Sequence, residues 1–99
     1  MTLTEIAIDI RSRANQRGEY PTAPEALRQA AEEVLAGFRH MKTGELDLGE
    51  AREHVEIMHL TGNVCSTTYG YLVDAETLER AIALAELWQS GLVLDYASA

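Results

Sequence analysis

Apolar residues recur every three or four positions in the stretch DAETLERAIALAELWQSG, which begins at Asp74. At about 100° per residue, this period predicts a helix over residues 75–90 with one side formed by Leu78, Ala81, Ile82, Ala85 and Trp88. Asp74 is a suitable N-cap and Gly91 a suitable stop. Because Leu84 and Leu87 widen the apolar surface, we expect this helix to be buried on more than one side, either as the central core helix or as half of a subunit interface.

The same period predicts three further helices, over residues 3–17, 23–43 and 48–61. Each begins at a capping residue that is followed three positions later by a glutamate: Thr2 and Glu5, Thr22 and Glu25, and Asp47 and Glu50. Capping and periodicity therefore agree, and together they predict a compact all-α bundle of about four helices. We expect a single helical domain over residues 1–99, because a chain of this length supports one hydrophobic core.

The apolar period also predicts which side chains face the core. In the first helix these are Leu3, Ile6, Ala7, Ile10 and Ala14. In the second they are Leu27, Ala31, Val34, Leu35, Phe38 and Met41, and in the third Leu48, Ala51, Val55 and Met58. Small residues line one flank of the second helix at Ala26, Ala30 and Gly37. They allow another backbone to approach closely, either within the bundle or across a dimer seam.

Residues 62–73 carry mixed signals. The glycine, asparagine, serine and threonine residues indicate a loop, whereas Val64, Tyr69, Tyr71 and Val73 have strand propensity. We therefore predict an irregular or short-strand segment here, with an early extension of the fourth helix as a further alternative. A connection of this length in a small domain often serves a purpose, and an ordered binding loop is one such use.

Composition excludes several classes of protein. A hydrophobic content of 46% indicates a folded chain, and no apolar run approaches the ~20 residues of a membrane span. The N-terminal residues do not combine a basic region with an apolar one, so no secretory signal is expected. Cys65 is the single cysteine, which excludes an internal disulfide and suits a cytoplasmic location. We expect the apolar segment LVLDYASA, residues 92–99, to fold back onto the body.

The net charge of −8 is concentrated in the C-terminal part of the chain. Acids and bases balance over residues 1–42, whereas residues 43–99 hold ten acids against only Arg52 and Arg80. This sign disfavours direct binding of DNA or RNA, since phosphate neutralisation supplies most of the affinity of such proteins. An acidic surface is instead attracted to a basic protein surface. The alternative is that the acids serve only solubility.

The densest group of potential metal ligands lies in the third predicted helix, where Glu56 and His59 have E-x-x-H spacing. Di-iron carboxylate bundles use two such motifs together with two further carboxylates, so a site would need a second subunit. His54 and His59 are five residues apart, whereas the zincin motif needs four. Cys65 has no neighbouring base that would lower its pKa. We therefore predict no cofactor and no enzymatic activity.

These observations favour a non-enzymatic interaction protein that binds a basic surface of a larger partner. Small acidic single-domain proteins of this kind include phage-encoded inhibitors, such as anti-CRISPR proteins that occupy nucleic-acid channels, and antitoxins; the likeness is one of size, charge and absent catalytic motifs. The residues predicted to contact the partner are Glu45, Asp47, Glu50, Glu53 and Glu56, with Tyr69 and Tyr71 as aromatic anchors. The alternative is a homodimeric helical module, with an inter-subunit metal site at the E-x-x-H motif.

Overall fold

Four helices form the body of the protein in a computed structural model, which describes residues 1–91. They are α1 (Leu3–Gln16), α2 (Ala23–Leu35), α3 (Leu48–Thr61) and α4 (Ala75–Ser90). A 3-10 turn, Ala36–Phe38, continues α2, and two short strands, β1 (Cys65–Ser66) and β2 (Leu72–Val73), pair antiparallel with Cys65 opposite Val73. The predicted all-α bundle with a short-strand segment in residues 62–73 is confirmed. The expectation for residues 92–99 lies outside the described residues.

Side-chain caps fix where the helices begin. At α1 the Thr2 hydroxyl accepts a hydrogen bond from the Glu5 amide (3.2 Å), and the Glu5 carboxylate accepts one from the Thr2 amide (3.3 Å). The same reciprocal pair forms between Thr22 and Glu25 at α2. These bonds satisfy amides of the first turn, which have no partner within the helix. The bond from the Thr22 amide also lowers the pKa of Glu25.

The last two helices begin at aspartate caps and end at left-handed glycines. The carboxylate of Asp47 accepts from the Glu50 amide (3.0 Å), and that of Asp74 accepts from the Thr77 amide (2.8 Å). Gly62, with φ 70°, ends α3, and Gly91, with φ 72°, ends α4. The predicted bounds of both helices are therefore confirmed.

The second helix is shorter than predicted. It ends at Leu35 instead of residue 43, and Met41 is fully exposed instead of facing the core. Gly37 disfavours continuation, since glycine costs about 1 kcal/mol relative to alanine inside a helix. A closed turn follows, in which the Asp47 amide donates to the Phe38 carbonyl (2.8 Å). This turn supplies the hydrogen bonds that a longer helix would have made, and it places the cap of α3.

The α4 helix lies at the centre of the packing, in contact with α2 on one side and α3 on the other, while α1 packs mainly on α2. Leu78 is fully buried and Ile82 is 3% exposed, so the prediction of a central core helix is confirmed. Several alanines at the helix contacts are also completely buried: Ala26, Ala30 and Ala31 on α2, and Ala81 and Ala85 on α4. These small residues let the helix backbones approach closely, so Ala26 and Ala30 serve packing within the chain.

Replacing Leu78 with alanine is expected to lower the free energy of unfolding by about 2–5 kcal/mol, because it leaves a cavity in the centre of the core. Leu60→Ala is the matched control, since Leu60 is 87% exposed and its loss should change stability by no more than about 0.5 kcal/mol. Urea denaturation followed by circular dichroism measures both values. Equal effects of the two variants would contradict the central position of α4.

Candidate functional site

The outer side of α3 combines acidic and apolar side chains. At about 100° per residue, Glu53 lies about 160° from the buried residues Ala51 and Val55, and the glutamates at 50 and 56 lie about 60° to either side of it. Ile57 and Leu60 lie close to the same line and are 56% and 87% exposed. We call this surface the acidic face; its members are Glu50, Glu53, Glu56, Ile57 and Leu60.

The glutamates of the acidic face have no cationic partner among residues 1–91, because no ion pair in that part of the chain includes Glu50, Glu53 or Glu56. Some acids in the first 35 residues differ in this respect: Asp9 pairs with Arg13 (3.1 Å), Glu19 with Arg17 (3.2 Å) and Glu32 with Arg28 (3.5 Å). The acidic face is therefore a group of three neighbouring carboxylates on one helix that form no ion pair within residues 1–91.

Two other acids of the predicted contact set have separate positions. Asp47 stands at the N-terminal end of the acidic face, where its carboxylate caps α3. Glu45 lies in the turn before α3 and borders a different cleft, together with Arg39 and Trp88. Arg28 lies over the Trp88 ring in that cleft, 5.1 Å from the ring centre. The structure thus brings Glu50, Glu53 and Glu56 together, with Asp47 at their edge and Glu45 on another side.

The two tyrosines of the predicted set occupy the loop between β1 and β2. Tyr69 lies at its tip and is 60% exposed. Tyr71 is half-buried: its hydroxyl donates to Asp9 (3.3 Å) and accepts from Arg13 (2.8 Å), both on α1. Tyr71 therefore holds the loop against α1, whereas the acidic face belongs to α3, which packs mainly on α4.

Glu33 is a buried acid of α2 that was not among the residues predicted to face the core. It is 6% exposed, and its Oε2 atom has no hydrogen-bond partner. Burial raises the pKa of this carboxyl, against an opposing effect of Arg13. Glu33 lies seven residues after Ala26 and three after Ala30, so its place on the inward side of α2 could have been inferred from the helical period. Burial, together with the Glu33 charge, also raises the pKa of Tyr71.

The two E-x-x-H residues lie beside α4, with Glu56 at the edge of the acidic face and His59 outside it. His59 Nε2 lies 3.9 Å from Glu79 Oε2, and Glu56 borders a groove between the two helices. His54 instead makes an edge contact with the Phe38 ring, with 5.6 Å between ring centres. Within the part of the chain that the structure describes, no three His, Cys, Asp or Glu side chains converge in a way that could hold a metal ion.

Comparison with protein-family models, curated proteins and solved structures finds no match to this chain. The chemistry of the surface is therefore the basis for assigning a function.

Two further properties concern the cysteine and the length of the helices. Burial raises the pKa of the half-buried Cys65 thiol, which disfavours the reactive thiolate at neutral pH. Across residues 1–91, no helix has the length and apolar character needed to cross a bilayer. Among residues 1–91, the acidic face offers carboxylates without an ion pair beside exposed apolar side chains.

Replacing Glu33 with glutamine is expected to stabilise the protein at pH 7 by on the order of 1 kcal/mol, because it removes the cost of burying a charged carboxylate. Because burial raises the pKa of Glu33 in the folded state, ionisation of this carboxyl lowers the stability of the fold. The cost of ionising Glu33 is absent below its ordinary pKa of 4.5 and grows as the pH rises through the raised value in the folded state. The gain should therefore disappear near pH 4, as measured by urea denaturation at both pH values.

The control is Glu32→Gln, one residue earlier, which removes an exposed pair with Arg28 and should lower stability slightly. A Glu33→Gln protein that is less stable than the wild type at pH 7 would contradict the unfavourable burial of this carboxylate.

Proposed function

We propose that this protein is a non-enzymatic interaction module that binds a basic surface of a larger protein through the acidic face of α3. The observation that supports the proposal is that Glu50, Glu53 and Glu56 share one helix surface and that none of them belongs to an ion pair among residues 1–91. Lysine and arginine side chains of a partner supply the missing counter-charges. Such charge complementarity mainly sets the rate of association and the choice of partner.

Apolar contacts supply the part of the affinity that charge does not. Ile57 and Leu60 expose large side chains in the middle of the acidic face, and burying each is worth roughly 1.5–3 kcal/mol when complete. They replace Tyr71 in the proposed set of anchors, because the Tyr71 hydroxyl is bonded to α1. Tyr69 remains an exposed aromatic side chain for a contact outside the acidic face.

The partner surface is of the kind that otherwise holds nucleic acid. Glu50, Glu53 and Glu56 follow one another at three-residue intervals, a rise of about 4.5 Å each, and form a row of negative charges along the helix. Together with the net charge of −8, this row supports a role like that of phage-type inhibitors, including anti-CRISPR proteins, which act on nucleic-acid-binding complexes. The single cysteine supports a cytoplasmic location for this activity.

The test compares two variants with the same change in net charge. Glu50→Gln/Glu53→Gln/Glu56→Gln removes the charges of the acidic face and should weaken partner binding about tenfold to a hundredfold, since exposed ion pairs contribute up to ~1 kcal/mol each. The immobilised wild-type protein and each variant are used to capture proteins from an extract of the source cells. The dissociation constant for the purified partner is then measured by calorimetry at low and high ionic strength. Wild-type affinity should fall steeply with added salt.

The control variant is Glu5→Gln/Glu19→Gln/Glu25→Gln. Glutamine preserves the capping boxes of α1 and α2, so this variant should fold normally and retain the partner. Equal loss of binding by both variants, or an affinity that does not change with salt, would exclude docking through the acidic face.

A further inference from the structure

A groove runs between α3 and α4, which lie side by side and antiparallel. Its direction follows from two contacts: Arg52, early in α3, pairs with Glu86, late in α4, while His59, late in α3, approaches Glu79, early in α4. The residues at the groove have the same spacing on both helices, with offsets of 3, 4 and 7. They are Arg52, Val55, Glu56 and His59 on α3, and Glu79, Ile82, Ala83 and Glu86 on α4.

The two ends of the groove are bridged, and its middle is open. The Arg52–Glu86 ion pair crosses one end, and at the other the His59 ring nitrogen lies 3.9 Å from the Glu79 carboxylate. Glu56 lies between these bridges on α3 and belongs to no ion pair among residues 1–91. Its carboxylate is therefore available to a ligand that enters between the helices.

The base of the groove is apolar, which distinguishes it from a simple cluster of acids. Val55, Ile82 and Ala83 line it, and the cavity has a volume of about 300 Å³. This is at the lower limit of the range for small-molecule pockets, roughly 300–1,000 Å³. The groove accordingly suits one long side chain with an apolar stem and a charged end, and it is too small for a typical cofactor.

We propose that this groove binds an arginine side chain of the basic partner. The aliphatic stem of the arginine lies on Val55, Ile82 and Ala83, and its guanidinium group lies between the carboxylates of Glu56 and Glu79. Arginine fits better than lysine because its planar, weakly hydrated head donates several hydrogen bonds in fixed directions and can bond two carboxylates from different helices. The inference rests on the proposed function, since it names the anchor within that interface.

The probe for the groove is N-acetyl-arginine amide, titrated into the full-length protein labelled with ¹⁵N. We expect saturable shifts of the backbone amides of Val55, Glu56 and Ala83, with a dissociation constant in the roughly millimolar range for one side chain. N-acetyl-norleucine amide provides the apolar stem without the charge, and guanidinium ion provides the charge without the stem. Either compound binding as tightly as the arginine amide would overturn the proposal, and so would tighter binding of N-acetyl-lysine amide.

Two variants test the groove without changing the outer side of α3. Ala83→Leu fills the groove with no change in charge, and Glu79→Gln removes one of the two carboxylates; each should weaken binding of the arginine amide about fivefold or more, equivalent to ~1 kcal/mol. The matched control is Glu5→Gln, which removes a charge from α1, preserves the capping box there and should leave the titration unchanged. Normal thermal unfolding of all three proteins shows that they fold.

The outcomes separate this inference from the proposed function. If the purified partner binds the wild-type protein and the Ala83→Leu variant equally well, the groove does not hold a partner arginine, although the acidic face still docks. If no basic partner binds the wild-type protein, the proposed function is wrong, whatever the arginine amide does. A partner that loses affinity for the Ala83→Leu variant, together with shifts from the arginine amide, would support both.

Discussion

The fold depends on burying the apolar side of α4 between α2 and α3. Leu78 and Ile82 have almost no contact with solvent, and alanines at 26, 30, 81 and 85 make the close approach of the helices possible. A larger side chain at these alanines would force the helices apart, because protein interiors are packed as densely as organic crystals. The hydrophobic contact made by α4 therefore organises the other three helices and leaves one side of α3 free.

The free side of α3 carries charged side chains that take no part in packing the core. On α1 and α2, Asp9 and Glu32 each form an ion pair with an arginine of the same helix. The three carboxylates of the acidic face form no ion pair within the described residues 1–91, and exposed charges of one sign attract charges of the opposite sign. Since its glutamates contribute nothing to the core, they can be changed without a large loss of stability. A surface of this kind is free to be shaped by what it binds.

Local sequence signals predicted the starts of all four helices, because a cap and the helical period are both properties of neighbouring residues. They were less informative about features that depend on contacts between distant residues, such as where a helix ends. The end of α2 depends on the turn that joins Phe38 to Asp47, so Met41 was wrongly placed in the core.

The candidate site was predicted in part for the same reason. Glu50, Glu53 and Glu56 share a helix, and their common surface follows from spacing alone. The attachment of Tyr71 to α1 and the separate cleft at Glu45 depend on how distant segments meet. The groove depends on the pairing of α3 with α4, which no periodicity within either helix reveals.

The central position of α4 has a consequence for the order in which the protein folds. During synthesis α1 and α2 emerge first and can pack on each other, whereas the main partner of α3 lies in a segment made later. Until α4 leaves the ribosome, the inward side of α3 has no lasting cover, and its apolar residues are exposed to other chains and to chaperones. The last helix described is thus the one that completes the fold, and a chain that ends before Leu78 leaves the inward sides of α2 and α3 uncovered.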